Sequence, residues 1–132
     1  MTVRFWTPLA LGLVLAGCAS SSVTSRIKQK QAAYDALPPD QKQLVDQGQL
    51  RVGMSEDAVY IALGKPNEIL HSGDQSGETT TWLYYSSYMQ GYPMWWRRNF
   101  SYTYNPQDYV KAELVFVNGR LVSWRTLPMP LN

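Results

Sequence analysis

One cysteine and one histidine are all that 132 residues hold of the two side chains that most often carry metal and nucleophilic chemistry. A lone cysteine excludes an intrachain disulfide, so the folded part must stand on its own core. A metal site wants several His, Cys or carboxylate ligands in register, and no such spacing is present. His71 lies in "HSGDQSGE", which reads as a polar turn with a solvated histidine. Ser55 has no histidine near it in sequence, and Glu56 and Asp57 are adjacent, so they do not face each other on a helix. Helix capping accounts for all three. The expectation is a protein that is not an enzyme, with no catalytic residue, no bound metal and no cofactor. Charge of one sign is also lacking: 12 Lys and Arg stand against 10 Asp and Glu, which argues against a nucleic-acid partner.

A long apolar run is missing too. "FWTPLALGLVLAG" follows a single positive charge at Arg4 and is too short to span a bilayer comfortably, since a crossing helix needs about 20 apolar residues. It ends in Leu15-Ala16-Gly17-Cys18, which resembles the lipobox of bacterial lipoproteins. An ordinary cleaved signal or an uncleaved anchor are the competing readings. The resemblance implies a signal peptide at residues 1–17 and diacylation of the Cys18 thiol, with palmitate or a similar acyl chain added to the new amino terminus. Several chains matter, because each buried methylene contributes about 0.8 kcal/mol and one chain binds only marginally. Ala19-Ser20 lacks the aspartate associated with inner-membrane retention in such proteins. The implied location is therefore the cell envelope, at the periplasmic face of the outer membrane.

Residues 18–35 read as lipidated cysteine plus tether or arm. Ala19–Ser25 is small, polar and without an evident cap. "RIKQKQAAYDAL" has helical composition and a weak stripe of Ile27, Tyr34 and Leu37, compatible with a frayed helix or an extended arm. Pro38-Pro39-Asp40 predicts a helix start, and Gly48 its end. The sharpest signal is "GMSEDAVYIALGKP". Ser55 is the N-cap, Glu56 and Asp57 suit the positive helix end, and Val59, Ala62 and Leu63 form the apolar stripe. Gly64 supplies the stop and Pro66 blocks resumption.

Strand signals follow. "ETTTWLYY" over Glu78–Tyr85, then Lys111–Val117 and Arg120–Leu127, are rich in β-branched and aromatic residues. Asn118-Gly119 between the last two predicts a type I′ hairpin, placing Phe116 opposite Leu121 and Val115 opposite Val122. Leu114, Phe116 and Leu121 are assigned to the helix-covered face. The predicted domain, residues 36–128, is thus α+β: two short helices packed on a three-stranded antiparallel β-meander, in two layers.

In order, "LRVGMSEDAVYIALGKP", "TTWLYY" and "AELVFVNGRL" resemble the SmpA/OmlA (BamE-like) domain of bacterial lipoproteins, over roughly Leu50 to Ser123. That resemblance implies the two-layer fold and an accessory role in the machine that assembles outer-membrane β-barrels. Domains of this shape also serve as secreted inhibitors, since one fold hosts many jobs.

Between the first and second predicted strands lies an insert, residues 86–110, dense in aromatics. Trp95 and Trp96 stand beside Arg97 and Arg98 there, and these four are the candidate partner or membrane contact. Phe100, Tyr102 and Tyr104 alternate, so they either extend a hairpin and pack on the core or add to the contact surface. The expected function is that of a membrane-anchored, non-catalytic scaffold or accessory in an envelope protein assembly, with barrel assembly as the leading case. The alternative is a periplasmic module that binds or inhibits a soluble enzyme, or binds peptidoglycan or lipid.

Overall fold

The computed structural model describes residues 21–130. The signal peptide at 1–17, Cys18 and Ala19-Ser20 lie outside the described residues. Four helices come first: α1 (Val23–Gln29), α2 (Gln31–Asp35), α3 (Pro39–Asp46) and α4 (Glu56–Leu63). Four strands follow, β1 (Glu68–Asp74), β2 (Gly77–Trp96), β3 (Asn99–Val117) and β4 (Arg120–Thr126). They form one antiparallel sheet in the order β1-β2-β3-β4. The α+β class is as expected, but the described residues hold four helices and four strands rather than two and three.

The additional helices come from the stretch read as a tether. Ser22 caps α1, its hydroxyl accepting from Ser25 N at 3.2 Å, so the chain is helical from Val23. What docks α1 is Arg26, which is buried. Its Nε donates to Ile61 O at 2.7 Å and its Nη2 to Ala62 O at 2.9 Å. These carbonyls belong to the last turn of α4, where a helix leaves its acceptors unpaired and carries partial negative charge. Tyr84 Oη donates to Gly64 O at 2.9 Å and completes that end. The helices α1, α2 and α3 all pack against α4.

The start of α4 matches its sequence, with Ser55 Oγ accepting from Ala58 N at 3.2 Å. Gly64 stops it at φ 91° and ψ −173°, a positive-φ conformation that only glycine adopts cheaply. The apolar stripe needs correction. Ala58, Val59, Ile61 and Ala62 are buried, whereas Leu63 is half-buried. With α1–α3 on one flank and the sheet beneath, α4 is covered over more than one face, so a single stripe underdescribes it.

The core joins α4, Met54 and Val45 of α3 to one face of the sheet. Leu114, Phe116 and Leu121 are on that face and buried, as assigned. Trp82 and Phe116 pack with ring centroids 4.8 Å apart. Each large side chain fully buried here contributes about 1.5–3 kcal/mol. Gly53 N donates to Leu121 O at 2.7 Å and Leu121 N to Met54 O at 2.8 Å, so the chain entering α4 is stitched to β4.

The hairpin at Asn118-Gly119 has positive φ at both residues, 49° and 74°, and pairs Phe116 with Leu121 as expected. Val115, however, pairs with Ser123, because a bulge leaves Val122 unopposed. The "HSGDQSGE" segment is also not a simple turn. His71 is on β1 opposite Thr80, and the reversal occurs at Gln75-Ser76, where Asp74 Oδ1 accepts from Ser76 N at 2.7 Å.

Candidate functional site: an aromatic β-arm

Insert 86–110 is a continuation of two strands. β1 stops pairing with β2 at Leu83, and β4 stops pairing with β3 at Ala112. Beyond them Tyr85–Trp96 of β2 pairs only with Asn99–Val110 of β3. A bulge between Tyr84 and Tyr85 leaves Lys111 unopposed where the ribbon departs from the sheet. At about 3.3 Å per residue the arm is roughly 40 Å long.

An isolated two-stranded ribbon is marginal in water, so cross-strand side chains must hold it. On one face of the ribbon, Trp95, Phe100, Tyr102 and Tyr104 make a row. Successive ring centroids lie 4.9, 5.0 and 6.3 Å apart. Gly91 faces Tyr104, whose ring covers the place where a Cβ would stand, 3.0 Å away. On the other face Tyr88 and Tyr109 meet edge-on at 5.9 Å near the base. The row does not pack on the core: Phe100, Tyr102 and Tyr104 are all exposed, which excludes the core-packing alternative for this trio. Their partners are one another.

Two prolines sit inside the ribbon without breaking it. Pro93 pairs with Tyr102 and Pro106 with Met89. Counting from the two-residue turn, both fall at non-hydrogen-bonded positions, so the N–H each lacks would have pointed outward. Each proline therefore blunts one open edge against pairing with a foreign strand.

At the tip the turn residues are Arg97 and Arg98, with φ 43° and 68°. A side chain in this left-handed region costs about 1–2 kcal/mol per residue, which is why such turns prefer Asn-Gly. The Arg97 guanidinium lies 5.6 Å from the Trp96 ring centroid, a cation–π distance. Trp95 and Trp96 are 74 % and 67 % exposed, the most exposed large hydrophobic side chains among the described residues. All four residues singled out from sequence are thus together at one point, while Cys18 is outside the described residues.

Elsewhere the surface offers less. An open cleft of about 460 Å³ lies between α4 and β1, lined by Lys30, Asp57, Tyr60, Lys65, Ile69 and Trp82 among others. Lys30 pairs with Asp57 at 3.0 Å on its rim. Trp82 Nε1 is buried without a hydrogen-bond partner among the described residues. Glu56 and Asp57 occupy the first turn of α4, as capping requires. His71 is exposed, with Nδ1 3.4 Å from Thr80 Oγ1. Among the described residues no group of three or more His, Cys, Asp or Glu is placed to hold a metal ion, and no helix is long and apolar enough to cross a membrane. At the base of the arm the Tyr85 phenol donates to Glu68 Oε2, and that hydrogen bond raises its pKa.

The sequence pattern does not reveal the role of Arg26 or the strand β1, and it marks residues 86–110 only as an aromatic insert that either extends a hairpin or adds a contact surface. The phase of Pro93 and Pro106 fits a ribbon only once the reversal is placed at Arg97-Arg98. Comparison with protein-family models, with curated proteins and with solved structures finds no match to this chain.

Proposed function

We propose that this protein is an envelope lipoprotein, held at the periplasmic face of the outer membrane through acylated Cys18. In this reading it works as a non-catalytic scaffold or accessory in a protein assembly. Assembly of outer-membrane β-barrels is the case indicated by the SmpA/OmlA resemblance of residues 50–123. The observation that supports a contact role most is the arm: a ribbon of exposed aromatic and guanidinium groups, carried clear of the core on two strands. Trp, Tyr and Arg are the residues that dominate binding hot spots.

Crosslinking in intact envelopes, followed by purification of the protein, tests this. Recovery of barrel-assembly components with the native chain, and their loss when arm residues 87–108 are replaced by Asn-Gly, is the expected result. Recovery of one soluble enzyme alone would replace the assembly role with that of an inhibitory module.

A further inference from the structure

The fold makes the same two-residue turn twice, and the two sequences differ in a telling way. At 118–119 the positive-φ pair is Asn-Gly, the chemistry such a turn prefers. At 97–98 it is Arg-Arg, in nearly the same backbone conformation, with both residues in a region their Cβ atoms disfavour. Turn formation does not explain that choice. Its consequence is two guanidinium groups at the outermost point of the arm, with no ion-pair partner among the described residues. The only carboxylate on the arm is Asp108, opposite Ser87 near the base. The tip is therefore purely cationic.

Resting on the reading of the arm as a contact surface, we propose that its tip docks on an anionic phospholipid interface. Arg97 and Arg98 engage headgroup phosphates there, and Trp95 and Trp96 occupy the boundary between headgroups and acyl chains. Guanidinium groups suit phosphate oxygens through paired N–H donors, and indole rings suit that boundary because they are apolar with one N–H. A flat protein surface is the less fitting occupant for a geometric reason. Trp95 and Trp96 are consecutive in β2, so they project to opposite faces of the ribbon, and both are exposed. No single flat surface covers both, whereas a fluid interface surrounds a protrusion from every side. The depth is limited as well. The outer-edge backbone groups of the ribbon are unpaired and have no partner in hydrocarbon, so insertion stops at headgroup level.

Fluorescence quenching by brominated phospholipid tests this in the full-length chain. The chain has five tryptophans. Trp6→Phe and Trp124→Phe leave only buried Trp82 and the tip pair, so the readout is local however the amino terminus is held. Vesicles would be phosphatidylcholine with or without phosphatidylglycerol, brominated near the carbonyl end or deep in the chain. The expected result is quenching that needs the anionic lipid, is stronger for the shallow bromines, and falls with added salt. Arg97→Asn/Arg98→Gly installs the preferred turn, so its thermal midpoint should hold or rise while at least roughly nine-tenths of the quenching is lost. Arg97→Lys/Arg98→Lys should retain most of it. Equal quenching in the Asn-Gly variant, or in vesicles without anionic lipid, overturns the proposal. Absence of quenching in the native chain also overturns it. If quenching fails but the native chain still yields arm-dependent protein crosslinks from envelopes, the contact reading survives and only its lipid assignment fails.

Discussion

Arg26 is the residue on which the amino-terminal helices depend. It is a buried cation facing carbonyl oxygens with no carboxylate among its hydrogen-bond partners, so the negative end of α4 is its counter-charge. Arg26→Met should destabilise the protein by about 2–4 kcal/mol, because it strands the Ile61 and Ala62 carbonyls in a dry setting. A shift of the urea midpoint checks it. Gly64→Val should cost about 1–2 kcal/mol at φ 91°, with its Cβ 3.4 Å from Arg26 Nη1. In the same assay Ile61→Ala should lose roughly 2–5 kcal/mol and half-buried Leu63→Ala clearly less. Tyr84 supplies a pH prediction. Burial pushes its phenol well above the ordinary value of 10.0, with Arg26 partly opposing. The unfolded chain ionises near that ordinary value and the folded one does not. The contribution is therefore present below about pH 10 and lost as pH rises above it. Denaturant melts above pH 10 should show a shallower loss of stability in Tyr84→Phe than in the native chain. Ser55, Gly64 and Asn118-Gly119 were legible in the sequence because capping and turn chemistry act within a few residues. Arg26 was not, because its partners lie 35 and 36 positions away.

The elements differ in how openly they announce themselves. α3 begins at Pro39 and α4 at Ser55, both signalled by local chemistry. β1 gives no such signal: every residue in it is exposed, so it lacks the alternation that marks a half-buried strand. Only its ladder with β2 makes it a strand. The arm was half legible. The alternation of Phe100, Tyr102 and Tyr104 suggested a hairpin, but Arg-Arg at its turn hid where the chain reverses. The arm also separates stability from function. Trp95→Ala/Trp96→Ala should change the stability of the four-stranded body by no more than about 0.5 kcal/mol per site, since both side chains are exposed and the aromatic partner of Trp95, Phe100, is itself on the arm. Scanning calorimetry checks this, and a large drop in thermal midpoint would mean the pair is structural. Replacing residues 87–108 by Asn-Gly should leave the four-stranded body folded, with the near-ultraviolet signal of the buried Trp82–Phe116 pair intact.

At the scale of the whole molecule, the proposal is a body that folds for the sake of what it carries: acyl chains at one end of the sequence and an aromatic ribbon in the middle. If the acyl chains are the anchor, Cys18→Ser should release the protein from membranes on fractionation while its circular dichroism is unchanged. A protein that still sediments with membranes after a salt wash would point to another anchor. The central claim is that the arm is free in the isolated protein and covered in the cell. Photocrosslinking residues placed at Phe100 and Tyr104 in the arm, and at exposed Ser123 on β4 as a control, test it most directly. In intact envelopes the two arm positions should give discrete adducts that Ser123 does not, and those adducts should vanish when the envelope is solubilised. Adducts that are equally sparse at all three positions would contradict the account.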